Sequence, residues 1–294
     1  MAGWDDILTE LGQIPSPFDS MRQKYLGKLS DYTDRCTIAY YSSFLDKTDV
    51  PNLDVNDSDM EGFMNAVKGL ECDKGLDLIL HTPGGDPTAA EAIVKYLKEK
   101  FSSDIRVIVP QIAMSAGTMI ACCAKEIIMG KQSSLGPVDP QFNGIPAHNI
   151  KQEFDEAKED LKNNPENAQY WAIKLQQYPA AFMKTAMDAI DLSDELIRRW
   201  LDDVMLSENS DKLNMAVSFL GSHENSKVHG RHYQYRECME NGLNIKLMED
   251  DDALQDLILS VHHSFMITFQ QTSAVKIISN NQNKSFIFSV GGKQ

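Results

Sequence analysis

A chain of 294 residues with 42% hydrophobic and 24% charged residues has the composition of an ordinary globular protein, long enough for one large domain or two small ones around a sizeable core. Its 28 basic residues stand against 43 acidic ones, and the resulting charge of −15 argues against a nucleic-acid binder, which needs a basic face to displace counterions. No window approaches the roughly 18 to 20 uninterrupted apolar residues of a spanning helix, so no membrane span is expected.

The N-terminus MAGWDDILTE lacks the basic-then-apolar order of a signal peptide, and the sequence leads us to expect a cytoplasmic protein. Five cysteines, Cys36, Cys72, Cys122, Cys123 and Cys238, are odd in number, lack metal-ligand spacing and fall mostly in apolar segments. Buried free thiols are therefore expected, with neither zinc nor disulfides.

Residues 1–34 read as a helical extension, with helical stretches around Trp4–Leu11 and Phe18–Leu29 and no chemical signature. CTIAYYSSF, Cys36–Phe44, is the first strand by its β-branched and aromatic content. From Ser58, placed to cap, the apolar positions Met60, Phe63, Met64, Val67 and Leu70 recur at helical spacing. The run LDLILHT then closes on Pro83-Gly84-Gly85-Asp86-Pro87. Asp86 and Pro87 supply a cap and a first-turn proline for a helix whose inner face is Ala90, Ile93, Val94, Leu97 and Phe101. A second apolar run, IRVIVP, leads to Ala113-Met114-Ser115-Ala116-Gly117 and the helical TMIACCA. Strand, helix, strand, helix in this rhythm implies βαβ units and a parallel sheet.

Two strands thus deliver two special turns. A Gly-Gly pair lets the backbone turn sharply and aim amide N–H groups into a cleft, which suits an oxyanion. A serine between small residues, after a strand and before a helix, has the logic of a nucleophile elbow with the Ala116 N–H beside the hydroxyl. Ser115 is therefore the candidate nucleophile, and Gly84, Gly85 and Ala116 are the candidate oxyanion donors. His81, at a strand end, reads as a capping or partly buried ring, and Lys131, in a turn, as a solvated one.

HTPGGD, AMSAGT and KEIIMGKQSSLGPVDPQ together resemble the Clp-fold serine peptidases: the proteolytic subunit of Clp protease, signal peptide peptidase A and, most closely, the serine dehydrogenase proteinase family, from about Ile38 onward. The resemblance implies an α/β Clp/crotonase-type spiral of βαβ units with a helical insertion and a C-terminal helix plus hairpin. It divides the chain into an extension (1–34), a catalytic core (35–145), a helical insertion (146–222) and the C-terminal part of the core (223–294). It also implies a serine peptidase acting on peptide or unfolded protein as a homo-oligomer; the site itself, a serine with oxyanion donors, calls for no cofactor. An unfoldase partner cannot be inferred, and no dinucleotide or pyridoxal motif supports dehydrogenase chemistry.

The segment that carries the base histidine in the Clp subunit contains none here, and Asp139, about 24 positions after Ser115, is the titratable side chain at the matching place. Val228-His229-Gly230-Arg231 aligns with the third position of the Clp triad, so His229 falls beside it and Asp139 could orient it. Lys151, Lys158 and Lys162 of the insertion lie in the region where signal peptide peptidase A carries its lysine, and His262, at the edge of the stripe Leu254, Leu257, Ile258, Val261, Phe265 and Phe269, is a candidate to serve an adjacent subunit. The base stays open among these. That stripe also reads as core or subunit interface, and VKII with FIFSV as a hairpin within or between subunits. Two alternatives stand beside the peptidase: a crotonase-like acyl-CoA enzyme using the same oxyanion hole, and a non-catalytic assembly protein.

Overall fold

The structure is a computed structural model that describes residues 16–221 and 227–290. The expected helix around Trp4–Leu11 lies outside these residues. In chain order, the first half comprises α1 (Pro17–Thr33), β1 (Cys36–Ser42), α2 (Asp59–Val67), β2 (Leu76–His81), α3 (Pro87–Phe101), β3 (Ile105–Val109), β4 (Ile112–Ala113), α4 (Ala116–Ala121) and β5 (Glu126–Met129). Short strands β6 (Ser134–Leu135), β7 (Gln141–Phe142) and β8 (Ile145–Pro146) lead into four helices, α5 (Ala147–Asn163), α6 (Ala168–Leu175), α7 (Phe182–Trp200) and α8 (Ser210–Gly221). The chain closes with β9 (Tyr233–Gln234), α9 (Tyr235–Glu240), β10 (Ile245–Leu247), α10 (Asp252–Gln271), β11 (Ala274–Asn280) and β12 (Ser285–Ser289).

Among the described residues the long strands form a seven-stranded sheet in the order β10-β5-β3-β2-β1-β11-β12. The first five are parallel and the last two antiparallel to their neighbours. The central runs are apolar at successive positions because both faces of the sheet are covered. Ile38, Tyr40, Leu78, Leu80 and Val107 face one core with α2, α3 and α4, while Ala39, Tyr41, Ile79 and Ile108 face a second core with α1 and α10. This alternating β–α architecture, with its mixed sheet and helical insertion, is the one expected for a Clp/crotonase-type fold. A second sheet, β4-β6-β9, sits beside the first, joined to it by the pairing of Thr82 with Ala113.

Asp86 caps α3 through the Thr88 and Ala89 N–H groups, with Pro87 in the first turn, as the sequence requires. Ser58 does not cap α2: its backbone is already helical and its side chain accepts no N–H. The docked face of α2 is Asp59, Gly62, Phe63, Ala66 and Val67, which turns Met64 outward to 45% exposure. The stripe on α10 is covered within the chain, by α1 and the sheet, so it offers no subunit interface. The terminal hairpin likewise pairs within the chain, β11 on β1, leaving β12 at the sheet edge. No helix among the described residues is long and apolar enough to cross a membrane.

His81 and His262 are buried against Tyr41, with their rings 5.3 Å apart. Burial, and secondarily the charge of His262, pushes His81 from 6.5 down to about 3, and burial pushes His262 down to about 4. Enclosure of His262 in its own chain removes it as a base for a neighbouring site. Because both histidines fold in the neutral form, below about 6.5 the unfolded chain binds more protons than the folded one. Their stabilisation is thus complete above pH 6.5 and is lost as pH falls toward 4 and 3. Urea midpoints measured between pH 7 and 4 should fall accordingly, and His262→Leu should remove up to ~1.4 kcal/mol per pH unit from that slope. An unchanged acid slope in the variant would contradict this account.

Candidate active site

The Gly-Gly turn is held from outside its own strand. Past the end of β2, Thr82 is fixed by bonds from its N–H to Ile112 O (3.1 Å) and to its carbonyl from Met114 N (3.1 Å). Gly84 and Gly85 then adopt φ of +97° and +151°, open to glycine and strained for other residues. Val55 lies against the turn, donating its N–H to Gly84 O (2.7 Å) and accepting from Asp86 N (2.8 Å). A Cβ on Gly85 would collide with the Val55 backbone, and one on Gly84 would lie 2.6 Å from Met114 O and from Ser115 Cβ. In this parallel pairing the Gly85 N–H faces away from Val55. Among the described residues it donates to no partner, whereas the Gly84 N–H is taken by Thr82 Oγ1 at 3.2 Å.

Ser115 occupies the N-terminal boundary of α4 with φ +49°, a region costly for a residue with a side chain. The turn is braced by Gly117 N to Met114 O (2.7 Å) and Met119 N to Ser115 O (2.9 Å). The Ala116 N–H, next to the hydroxyl, donates to no partner among the described residues. Among the described residues two backbone donors are thus left without a partner, one on Ala116, next to Ser115 in the chain, and one on Gly85, which lines the same cavity as Ser115. The sequence reading also included Gly84, whose donor is engaged elsewhere.

Asp139 and His229 are paired. The ring Nδ1 of His229 lies 2.6 Å from Asp139 Oδ1; the carboxylate side chain is fully buried and the imidazole one-third exposed. Gln141 Nε2 donates to the other carboxylate oxygen at 3.0 Å. The small sheet brings these segments together, since β4 precedes Ser115, β6 precedes Asp139 and β9 follows His229. The Thr118 hydroxyl adds a cross-link, 2.9 Å from both Ala113 O and Gly136 O. Ser115, Asp139, His229 and Gly85 all line one cavity of about 350 Å³, with Met119, Val138 and Phe142 on its apolar walls. The insertion reaches it too, through Ala189 and Ser193 of α7.

Among the described residues no hydrogen bond joins His229 to Ser115, and Asp139 and His229 are the cavity's titratable groups apart from the serine hydroxyl. Lys151 and Lys158 are exposed and pair with Asp155; Lys162 and Lys131 are exposed. None of these lysines lines the cavity. Ser134 Oγ, 2.8 Å from His232 Nδ1, ties β6 to β9. The five cysteines are free and four are buried, burial pushing Cys123 and Cys238 up to about 12. No group of three or more His, Cys, Asp or Glu side chains converges as a metal site among the described residues.

Sequence reasoning missed Gln141, Val55 and the α7 wall. A glutamine two residues beyond Asp139 was the available signal for the first. Nothing local marks Val55, whose contribution is made by its backbone.

Residues 50–168 match the model of the ClpP-like SDH-type serine proteinase family. Two curated relatives come from Methanocaldococcus jannaschii. Uncharacterized protein MJ0137 is 49% identical over 92 residues, 31% of this chain and 32% of that protein. Uncharacterized protein MJ1495 is 44% identical over 96 residues, 33% of this chain and 32% of that protein. The chain thus spans about a third of the length of the curated relatives it matches. Among solved structures, a ClpP1 mutant from Listeria monocytogenes superposes with a TM-score of 0.38 and 11% identity, covering 76% of this chain and 98% of that one. Residues 50–168, which carry the Gly-Gly turn, Ser115 and Asp139, are thus the part of the chain that is similar to the ClpP-like SDH-type serine proteinase family.

Proposed function

We propose that this chain is a serine peptidase that hydrolyses peptides or unfolded protein through an acyl-enzyme on Ser115. The observation that carries the reading is the 2.6 Å bond between the buried Asp139 carboxylate and His229, on the wall of the cavity that Ser115 also lines. An ionised carboxylate only accepts, so Nδ1 carries the proton and Nε2 keeps a lone pair for the serine.

In this mechanism Ser115 Oγ attacks the scissile carbonyl while His229 Nε2 takes its proton. Asp139 holds the tautomer and stabilises the imidazolium, and Gln141 orients Asp139. The oxyanion accepts from the Gly85 and Ala116 N–H groups, and loss of one such donor typically slows turnover by about 10² to 10³. His229 next protonates the leaving amine, and water, activated by the same imidazole, releases the acyl group. No step calls on a cofactor. Homo-oligomeric assembly stays part of the reading, with the edge of β12, unpaired among the described residues, as one surface the sheet offers for it.

Fluorophosphonate labelling tests the assignment directly: the parent chain should label and Ser115→Ala should not, with little change in melting temperature. Labelling of neither protein would return the choice to the acyl-CoA enzyme or the assembly protein. His229→Ala should lower the rate of peptide hydrolysis by orders of magnitude, and Asp139→Asn should also be severely impaired. A full-rate His229→Ala enzyme with the parental pH profile would eliminate the pair. Gly85→Val should reduce both turnover and stability, because the new Cβ strikes the Val55 backbone at a φ closed to valine. Parental values for both would remove Gly85 from the oxyanion turn.

A further inference from the structure

Lys276 on β11 and Asp59 at the start of α2 form an ion pair at 2.6 Å with both side chains fully buried, although 217 positions separate them. Replacing such a pair with apolar residues of the same volume is often neutral or stabilising, so stability alone gives little reason for it. Its remaining hydrogen bonds point to a purpose. Lys276 Nζ also donates to Asp54 O (2.7 Å), and Asp59 Oδ2 accepts from the Asn56 N–H (3.0 Å) and the Tyr40 hydroxyl (2.7 Å).

Val55 lies between those two anchor points. The peptide joining Asp54 to Val55 is bound at its carbonyl by Lys276 and at its N–H by Gly84 O. The peptide joining Val55 to Asn56 is bound at its carbonyl by the Asp86 N–H and at its N–H by Asp59. Each peptide group thus has the buried charge pair at one end and the Gly84–Asp86 turn at the other. A cation on the carbonyl and an anion on the N–H polarise these peptides in the sense that strengthens their bonds to the turn.

We infer that Lys276 and Asp59 are a positioning pair: through the two peptide groups of Val55 they fix the Gly84–Asp86 turn, and with it the direction of the Gly85 N–H, for acyl transfer on Ser115. This rests on the peptidase reading above. Neither residue touches the substrate cavity, and both act on the backbone that backs it. The charges supply what an apolar pair could not, since only hydrogen-bonding groups can grip both peptides at once.

The test compares full-length parent, Lys276→Met and Tyr40→Phe on a p-nitrophenyl ester, with rates expressed per site titrated by fluorophosphonate. Lys276→Met should lower kcat about 10- to 100-fold, the effect of a small displacement of an oxyanion donor, while KM stays within about twofold. The shape of the pH profile should not change, because among the described residues neither member of the pair contacts His229 or Asp139. Parental kcat per titrated site, with only the melting temperature lowered, would show a purely structural pair and overturn the inference. Tyr40→Phe keeps both charges and the stacking on Phe63 but removes one bond from Asp59, and should give a smaller fall in kcat. If Lys276→Met does not fold, parental kcat in Tyr40→Phe overturns the inference by itself. A parent that fails to label at Ser115 overturns the peptidase reading first, an outcome distinct from both.

Discussion

The two hydrogen bonds between Val55 and the Gly84–Asp86 turn are the constraint around which the candidate site is arranged. A turn after a parallel strand has no ladder of its own, and its amides would take any direction that satisfied them. Pairing with Val55 uses Gly84 O and Asp86 N and turns the Gly85 N–H the other way. One backbone hydrogen bond contributes about 1 kcal/mol net, whereas a strained residue such as Ser115 costs on the order of 1–3 kcal/mol. A single contact could not hold this geometry. Several act together: the Val55 bridge, the Thr82–Ala113 bridge and the close packing of Gly84 on Ser115.

Convergence of the remaining groups depends on the second sheet. Its strands are only two residues long, too short to be stable as an isolated unit. They form because β4 is tethered to the end of β2 through Thr82, inside a core already closed by the larger sheet. Once formed, β4, β6 and β9 place three segments, spread over more than a hundred positions, within reach of one cavity. The small sheet therefore depends on the large one, and the bonded pair of Asp139 and His229 depends on both.

What the sequence disclosed follows from the range of each interaction. Strands buried on both faces announce themselves as apolar runs, and a Gly-Gly turn, an Asp-Pro cap and a serine between small residues are all local. These were legible, as was the helical character of the insertion. Features set by distant partners were not. Met64 has the spacing of a core residue, yet the docking of α2 rotates it outward. The stripe on α10 was plain, but its partner, α1 of the same chain, was not. Thr82's claim on the Gly84 N–H and Val55's backing of the turn involve backbone groups, on which side-chain identity is silent. Lys276 did leave a trace, a lysine inside the apolar run VKII, but only the fold shows the carboxylate that it meets.

Relative to the Clp triad that the sequence resembles, the proposed arrangement exchanges two groups. Asp139 stands in the segment where that triad has its histidine, and His229 beside the place of its aspartate. The exchange is chemically neutral if two conditions hold, because the roles belong to the hydrogen bond and not to the order along the chain. The carboxylate must be shielded and the imidazole must face the serine. Here Asp139 is enclosed and bound by both His229 and Gln141, while His229 keeps one-third of its surface open. In the proposed mechanism such burial suits an acceptor that need only hold a tautomer, and partial exposure suits a ring that would turn toward Ser115 and then toward the leaving amine. His81 and His262 show the opposite environment: enclosed among aromatic rings and held neutral to about pH 3 and 4, they belong to the core. Burial and carboxylate pairing separate the histidine suited to proton transfer from those suited to packing.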